Sequence, residues 1–188
     1  MYRTIYIAYS TLDGIIEDPD GNGGTPNGGW VYRHGPEPLE GDKFKLGPLF
    51  DTGALLLGRK TWQLFSQIWP QRTDAFSTRM NTVPKLVASR SLTDLSAWQN
   101  SSLLTGDLVQ EITQRKTQHD VIVTGSASVV HPLVEQDLVD EYRIIVLPEL
   151  VGRGTKLFTA DTAPVGLRLL ATATVGQGIL MRYERAAA

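Results

Sequence analysis

A run of two cations and a hydroxyl, Gly58-Arg59-Lys60-Thr61, directly follows the apolar residues 54–57 and opens a helical pattern. The apolar tetrad reads as a buried strand, and residues 60–68 read as the helix after it, with Trp62, Phe65 and, just beyond, Trp69 near helical spacing. Helix N-termini already carry partial positive charge on their unpaired N–H groups, so cations there are unfavourable unless an anion joins them. Taken alone, the run fits an anion site or an ordinary solvated loop at a strand end. A second basic strand end, Ser89-Arg90 after the strand 85–88, favours the anion site, because neighbouring cationic ends can bracket a diphosphate and a ribose phosphate together.

A third polar junction, Thr124-Gly125-Ser126-Ala127-Ser128, follows the strand 121–124, and its small residues let a phosphate or ribose approach the backbone. Two other readings stay open: a tight helix-to-sheet turn with no ligand, and a hydrolase elbow with Ser126 as nucleophile and His131 or His34 as base. The segment lacks the closing glycine of G-x-S-x-G, and His131 lies only five residues downstream on the same predicted helix. The dinucleotide fingerprint G-x-G-x-x-G is missing after the first strand, no Walker A pattern occurs, and Gly152-Arg153-Gly154 reads as a turn. A bound dinucleotide is therefore held by another architecture.

The elements that must position these junctions alternate as strands and helices, the pattern of an α/β domain with a largely parallel sheet. Strands are expected at 4–8, 54–57, 85–88, 121–124 and 142–147. Helices are expected at 39–50, shortened or kinked by Gly47-Pro48, at 60–68, at 107–116 with Asp107 as cap, and at 126–136, where Pro132 is tolerable only in an early turn. Residues 18–29 hold five glycines with Pro19 and Pro26 and read as a mobile flap. At the C-terminal end, Leu167, Leu169 and Ala171 alternate, Gly176-Gln177-Gly178 turns, and Ile179, Met181 and Tyr183 alternate again, which predicts an antiparallel hairpin.

Composition narrows the function classes. A chain of 188 residues with 41% hydrophobic content supports one core, so residues 1–188 are expected to form a single domain. A net charge of −2, from 18 basic and 20 acidic residues, gives no global field to gather nucleic acid or a membrane surface, so any anion selectivity is local. Without cysteine there are no disulfides or thiolate metal sites, and His34, His119 and His131 are too far apart for a local metal motif. The first ten residues have neither the length nor the flanks of a signal peptide or membrane span, so a soluble, cytoplasmic protein is expected.

Six motifs in order resemble the dihydrofolate-reductase-like family related to the C-terminal reductase domain of the bacterial riboflavin-biosynthesis deaminase-reductase, RibD. They are Ser10-Thr11-Leu12-Asp13-Gly14; Leu56-Leu57-Gly58-Arg59-Lys60-Thr61-Trp62; Pro84-Lys85-Leu86-Val87-Ala88-Ser89-Arg90; Gly125-Ser126-Ala127; Leu138-Val139-Asp140-Glu141; and the run from Pro148 through Gly152-Arg153-Gly154 to Phe158. The resemblance implies a three-layer domain: a mostly parallel central sheet, helices on both faces and the C-terminal antiparallel hairpin. It also implies an NADPH-dependent reductase in which Gly58, Arg59, Lys60 and Thr61 hold the diphosphate side and Ser89 with Arg90 the adenosine 2′-phosphate. Gly125, Ser126 and Ala127 would line the diphosphate and nicotinamide-ribose side, and the Ala8 backbone would meet the nicotinamide. Ser126 departs from the Gly-Gly turn of dihydrofolate reductase itself.

Hydride delivery to a small pterin- or pyrimidine-like heterocycle would be the reaction, with the 18–29 loop as lid. For the proton, Asp42, on the helix where dihydrofolate reductases place their substrate carboxylate, and Asp13 are the candidates, with a solvated surface role for Asp42 as the alternative. Trp30, Tyr32, Trp62, Phe65 and Trp69 are available to stack on a flat ring or to fill the core; among them Trp30 and Trp62 are the substrate candidates, with core the default for Trp62 and Phe65. A zinc deaminase motif, H-x-E…P-C-x-x-C, cannot occur without cysteine. The resemblance implies a homodimer; an NADP-binding protein of the same fold without turnover is the alternative function.

Overall fold

The computed structural model describes residues 2–159, 162 and 164–186. Strands β1 (Thr4–Thr11) and β2 (Ala54–Gly58) are buried almost throughout because both faces are covered. Ile5, Ile7, Leu55 and Leu57 enter one core, while Tyr6, Ala8, Ala54 and Leu56 enter the other. With β3 (Lys85–Ala88), β4 (Ser101–Leu104), β5 (Val121–Thr124), β6 (Glu141–Leu147), β7 (Leu167–Val175) and β8 (Gly178–Arg185) they form one sheet of order β4-β3-β2-β5-β1-β6-β8-β7. The first six strands are parallel; β8 runs antiparallel to β6 and to β7.

Five α-helices supply the outer layers: α1 (Leu49–Thr52), α2 (Arg59–Ile68), α3 (Ala75–Thr82), α4 (Leu108–Arg115) and α5 (Ala127–Glu135). Phe50, Trp62 and Met80 bring α1, α2 and α3 onto one face of the sheet. Ile112 of α4 and the Val129, Val130, Leu133, Val134 stripe of α5 cover the other. The chain leaves β2 toward β3 and leaves β5 toward β6, on opposite sides, although β2 and β5 lie side by side. Their carboxyl ends therefore form a topological switch point, where open sheets leave a crevice.

Three expectations need correction. Residues 39–48 are turns, and only α1 survives of the helix expected at 39–50. Gly41, Lys45 and Gly47 adopt left-handed φ values of 54°, 54° and 51°, and the Asp42 carboxylate accepts from the N–H groups of Leu46 (2.7 Å) and Gly47 (2.6 Å), bonds that compete with a helix. Pro132 is the sixth residue of α5 and so lies in its second turn, not an early one. It has no N–H for the carbonyl four residues back, and the buried apolar stripe around it outweighs that loss. β1 also continues three residues past its expected end, through Thr11. Strand β4 was not foreseen, because Ser101-Ser102-Leu103-Leu104 has no alternation.

The C-terminal hairpin forms as expected, but its apolar residues do not all enter a core. Leu167, Leu169 and Ile179 remain 39%, 52% and 50% exposed, with a register shift between Leu169 and Ala171. The other face of β8 packs inward through Leu180.

One ion network ties the 39–48 turns to the sheet. Glu141 is 1% exposed and receives Arg143 Nε at 2.7 Å, Arg182 Nη2 at 2.8 Å and Arg3 Nη1 at 2.8 Å. Arg143, itself buried, also donates to the carbonyls of Phe44 (3.2 Å) and Lys45. Burial pushes the Glu141 carboxyl upward, but the bonds from Arg143 and Arg182 outweigh it and hold the group below its ordinary value. No helix among the described residues is long and apolar enough to cross a membrane.

Candidate functional site

A cleft of about 2130 Å³ opens at the β2/β5 switch point, roomy enough for a dinucleotide together with a ring. Gly58 precedes α2 and Ser126, at φ 49°, precedes α5; neither gives its helix a side-chain cap. By contrast α3 is capped by Asp74, and α4, whose start also borders the cleft, is capped by Asp107. Two helix starts at the cleft thus keep free N–H groups, the feature that binds phosphate.

The two starts are joined. Ser126 Oγ accepts from the Gly58 N–H at 2.8 Å and lies 2.7 Å from Thr61 Oγ1. A Cβ on Gly58 would sit 2.9 Å from Ser126 Oγ, and one on Gly125, whose φ is +59°, would sit 3.1 Å from Thr61. A Cβ at either place would push its neighbour aside, and at 125 the left-handed φ adds a second reason for glycine.

Arg59, Lys60 and Arg90 line the same end of the cleft and are exposed. Among the described residues none of the three forms an ion pair, and Arg59 reaches only Gln63 Oε1, at 3.3 Å. Ser89 Oγ accepts from the N–H groups of Ser91 and Leu92, which turns the chain so that Arg90 borders the cleft. Ala127 lines the cleft at the first turn of α5. Ala8 lies where β1 has left β5, after the Ile7–Thr124 pair, while still paired with β6; its backbone borders the opening. Every residue expected at the cofactor is thus a cleft residue. The loop after β4, from Thr105 to Asp107, closes this end and was not anticipated, because β4 itself was not.

The remaining expected residues fall elsewhere. Trp30 is fully buried and donates Nε1–H to the Glu17 carbonyl, and Trp62, 3% exposed, donates to Ser101 Oγ. Both are core and outside the cleft lining, so neither can stack on a ligand there; Tyr32, Phe65 and Trp69 line it instead. Asp13 and Asp42 also lie outside the lining. The Asp13 carboxylate accepts from Thr11 Oγ1 and from the N–H groups of Val151 and Gly152, bonds that hold it below the usual carboxylate range. Asp42 is spent on Leu46 and Gly47.

Two side chains that pattern reading missed enter the cleft opposite the helix starts: Lys43 and Arg72. Burial, and then the neighbouring Arg72 charge, pull Lys43 down to about 8. Nothing local marks Lys43 in the sequence, since a lysine between Asp42 and Phe44 looks like any surface charge. Tyr9, whose hydroxyl donates to the Pro38 carbonyl, is pushed up by burial and by Asp20.

The 18–29 loop lines the cleft mouth and is tied into shape. Asp18, at φ 48°, accepts on its carboxylate from Gly23 N–H (2.7 Å), Thr25 N–H (2.9 Å) and Thr25 Oγ1 (2.9 Å). Neither candidate base is engaged with Ser126: His131 Nε2 meets the carbonyls of Lys156 and Leu157, and His34 pairs with Glu149.

An open sheet of this order, with two uncapped helix starts joined at its switch point, belongs to the dihydrofolate-reductase-like class of α/β folds. Residues 4–181 match the family described as the RibD C-terminal domain. The chain belongs to that family. Among curated proteins it is 25% identical over 178 residues to the uncharacterized protein YyaP of Bacillus subtilis (strain 168), covering 90% of this chain and 87% of that one. Among solved structures it resembles a protein of Shewanella sp. PV-4 named provisionally for riboflavin biosynthesis, with TM-score 0.76 at 20% identity over 98% of this chain and 99% of the other. It also resembles the dihydrofolate reductase of Enterococcus faecalis in complex with NADP(H), with TM-score 0.60 at 15% identity over 98% and 97% of the two chains.

Proposed function

We propose that the protein is an NADPH-dependent reductase acting on a small heterocycle of pterin or pyrimidine type. The observation that carries this reading is the pair of uncapped helix starts bonded through Ser126, beside three cations that have no carboxylate partner among the described residues. The residues fit the cofactor: the glycines at 58 and 125 leave room for a diphosphate against the backbone, and Arg59, Lys60 and Arg90 match its charge. When bound, the dinucleotide supplies the hydride. The protein holds its phosphates through α2, α5 and the cations, orients the ring along Ala8, and excludes water with the 18–29 loop. Family membership supports the reading, as does the NADP(H) in the Enterococcus relative of the same fold.

On this reading Arg90, an exposed cation at the cleft, meets the 2′-phosphate that distinguishes NADPH from NADH. Arg59→Ala combined with Arg90→Ala should weaken NADPH binding by about tenfold or more, given about 1.5–3 kcal/mol for a charged hydrogen bond discounted for exposure, and should erase the preference over NADH. Titration of the dihydronicotinamide fluorescence reads this directly. Equal affinity of the unaltered protein for both cofactors would end the assignment. NADPH binding without oxidation by any pterin, pyrimidine or quinone would instead identify a binding protein.

A homodimer follows from the family resemblance and gains support from the half-exposed Leu167, Leu169 and Ile179 on the outer hairpin, an apolar face that a second copy would cover. Light scattering should give twice the mass of the chain, and Ile179→Lys should yield monomer. A monomeric unaltered protein would refute this.

A further inference from the structure

Away from the helix starts the cleft ends in a lobe walled by Tyr9, Phe65, Trp69 and Phe76. Phe65 and Phe76 both meet Trp69 edge to face, at 6.0 Å and 5.7 Å between centroids, so the wall is mutually braced. The half-buried ammonium of Lys43 stands in this lobe, 5.3 Å from the Phe76 ring centroid and 5.9 Å from that of Tyr9. A bond of 2.9 Å from Nζ to the Leu39 carbonyl fixes its direction and leaves two N–H donors unused.

The charged and titratable groups that bear on Lys43 are Tyr9 from β1, Asp42 beside it, Arg72 after the 69–71 turn and Asp74 at the start of α3; Asp20, Tyr32 and Glu40 line the same cleft without an ion pair to it. Tyr9 already donates to the Pro38 carbonyl, and Asp42 serves Leu46 and Gly47. Asp74 serves Phe76 and Ser77. Neither carboxylate is within ion-pair distance of Lys43, and Arg72 has no ion pair among the described residues; its guanidinium lies over the Trp69 ring, 5.3 Å from the centroid. A cation held in place among aromatic rings, with two donors free and no counter-ion among the described residues, is arranged for a ligand that presents an acceptor.

We propose that Lys43 is the proton donor of the cleft: its ammonium hydrogen-bonds the heteroatom of a ring C=N or C=O bond held in the aromatic lobe and protonates it as that bond is reduced. The assignment rests on the reductase reading. The carbon of the bond takes the hydride from the reduced nicotinamide, which leaves as the oxidised cofactor. The heteroatom takes the proton from Nζ as the π bond is lost, and the amine regains a proton from water. The depressed basicity of Lys43 suits this role, since both forms are accessible near neutral pH.

Pyridoxal 5′-phosphate tests the geometry without the natural substrate. It is a flat anionic pyridine whose aldehyde forms an imine with an unprotonated amine, which borohydride then fixes for mapping by mass spectrometry. Saturable labelling of Lys43 is expected, rising with a midpoint near pH 8 and persisting when NADPH is present, whereas NADPH should displace label from Lys60. In Arg72→Met the Lys43 midpoint should move upward, because a neighbouring positive charge has gone. Labelling of Lys43 no faster than of the exposed Lys45, or a midpoint at the ordinary lysine value, overturns the proposal. If NADPH neither binds nor displaces label from Lys60, the reductase reading fails by itself, and the Lys43 assignment as proton donor falls with it, while the labelling still reports whether a ring reaches Nζ.

Discussion

Glu141→Ala should lower the unfolding free energy by about 3–5 kcal/mol, the cost expected when one partner of a buried ion network is removed and the other charge stays behind. Arg143 is the charge left behind, at 4% side-chain exposure, whereas Arg3 and Arg182 are 45% and 29% exposed and can turn to water. Urea denaturation gives the number, and replacing Glu141 and Arg143 together by leucine should recover much of the loss. A Glu141→Ala protein as stable as the parent would show that the network contributes nothing. The pH dependence follows with a definite sign. Because the folded state holds the Glu141 carboxyl below its ordinary value of 4.5, the unfolded chain binds the proton more readily. The stabilisation is therefore complete above about pH 5 to 6 and drains away as the pH falls below 4.5 through the folded-state value. In Glu141→Gln that acid-side loss should shrink. Since Arg143 also holds the carbonyls of Phe44 and Lys45, loss of Glu141 should loosen the segment that carries Lys43 before the rest of the fold gives way.

The second large effect is expected at Gly125. A valine there would place a β-branched side chain at φ +59° and a Cβ 3.1 Å from Thr61. The backbone strain is about 1–3 kcal/mol. The larger consequence is at the cleft, where the approach of phosphate to the first turns of α2 and α5 would be blocked. Loss of one or two charge-assisted contacts there is worth about 3 kcal/mol, or about 100-fold in NADPH affinity. Fluorescence titration of NADPH measures this, with circular dichroism to show that the chain still folds. An unaltered NADPH affinity in Gly125→Val would place the cofactor somewhere other than this junction.

The two junctions were legible in the sequence because each is a local event: a fully apolar strand, a glycine, a hydroxyl and the onset of a helix occur within ten residues. Their neighbourhood across the β2/β5 pair was not legible, since strand order depends on which helices cover which face. The same limit explains the tryptophans. Trp30 and Trp62 have the composition of a ring-stacking site, but their indole N–H groups are satisfied by Glu17 and Ser101, 13 and 39 residues away, partners that the local pattern does not reveal. The turns at 39–48 looked helical because apolar spacing says nothing of Lys45 in the left-handed region or of Arg143, nearly a hundred residues on, binding the Phe44 carbonyl. Lys43 became visible only once that long-range bond had shaped its segment.

The bond from the Gly58 amide to Ser126 Oγ couples two turns that are 68 residues apart in the chain. A hydrogen bond made within the chain fixes the two helix starts relative to each other, which reduces the ordering left for a phosphate to bring about on binding. Association at this end of the cleft is then expected to resemble a rigid docking event, with its entropy cost concentrated in the 18–29 loop and in the incoming molecule.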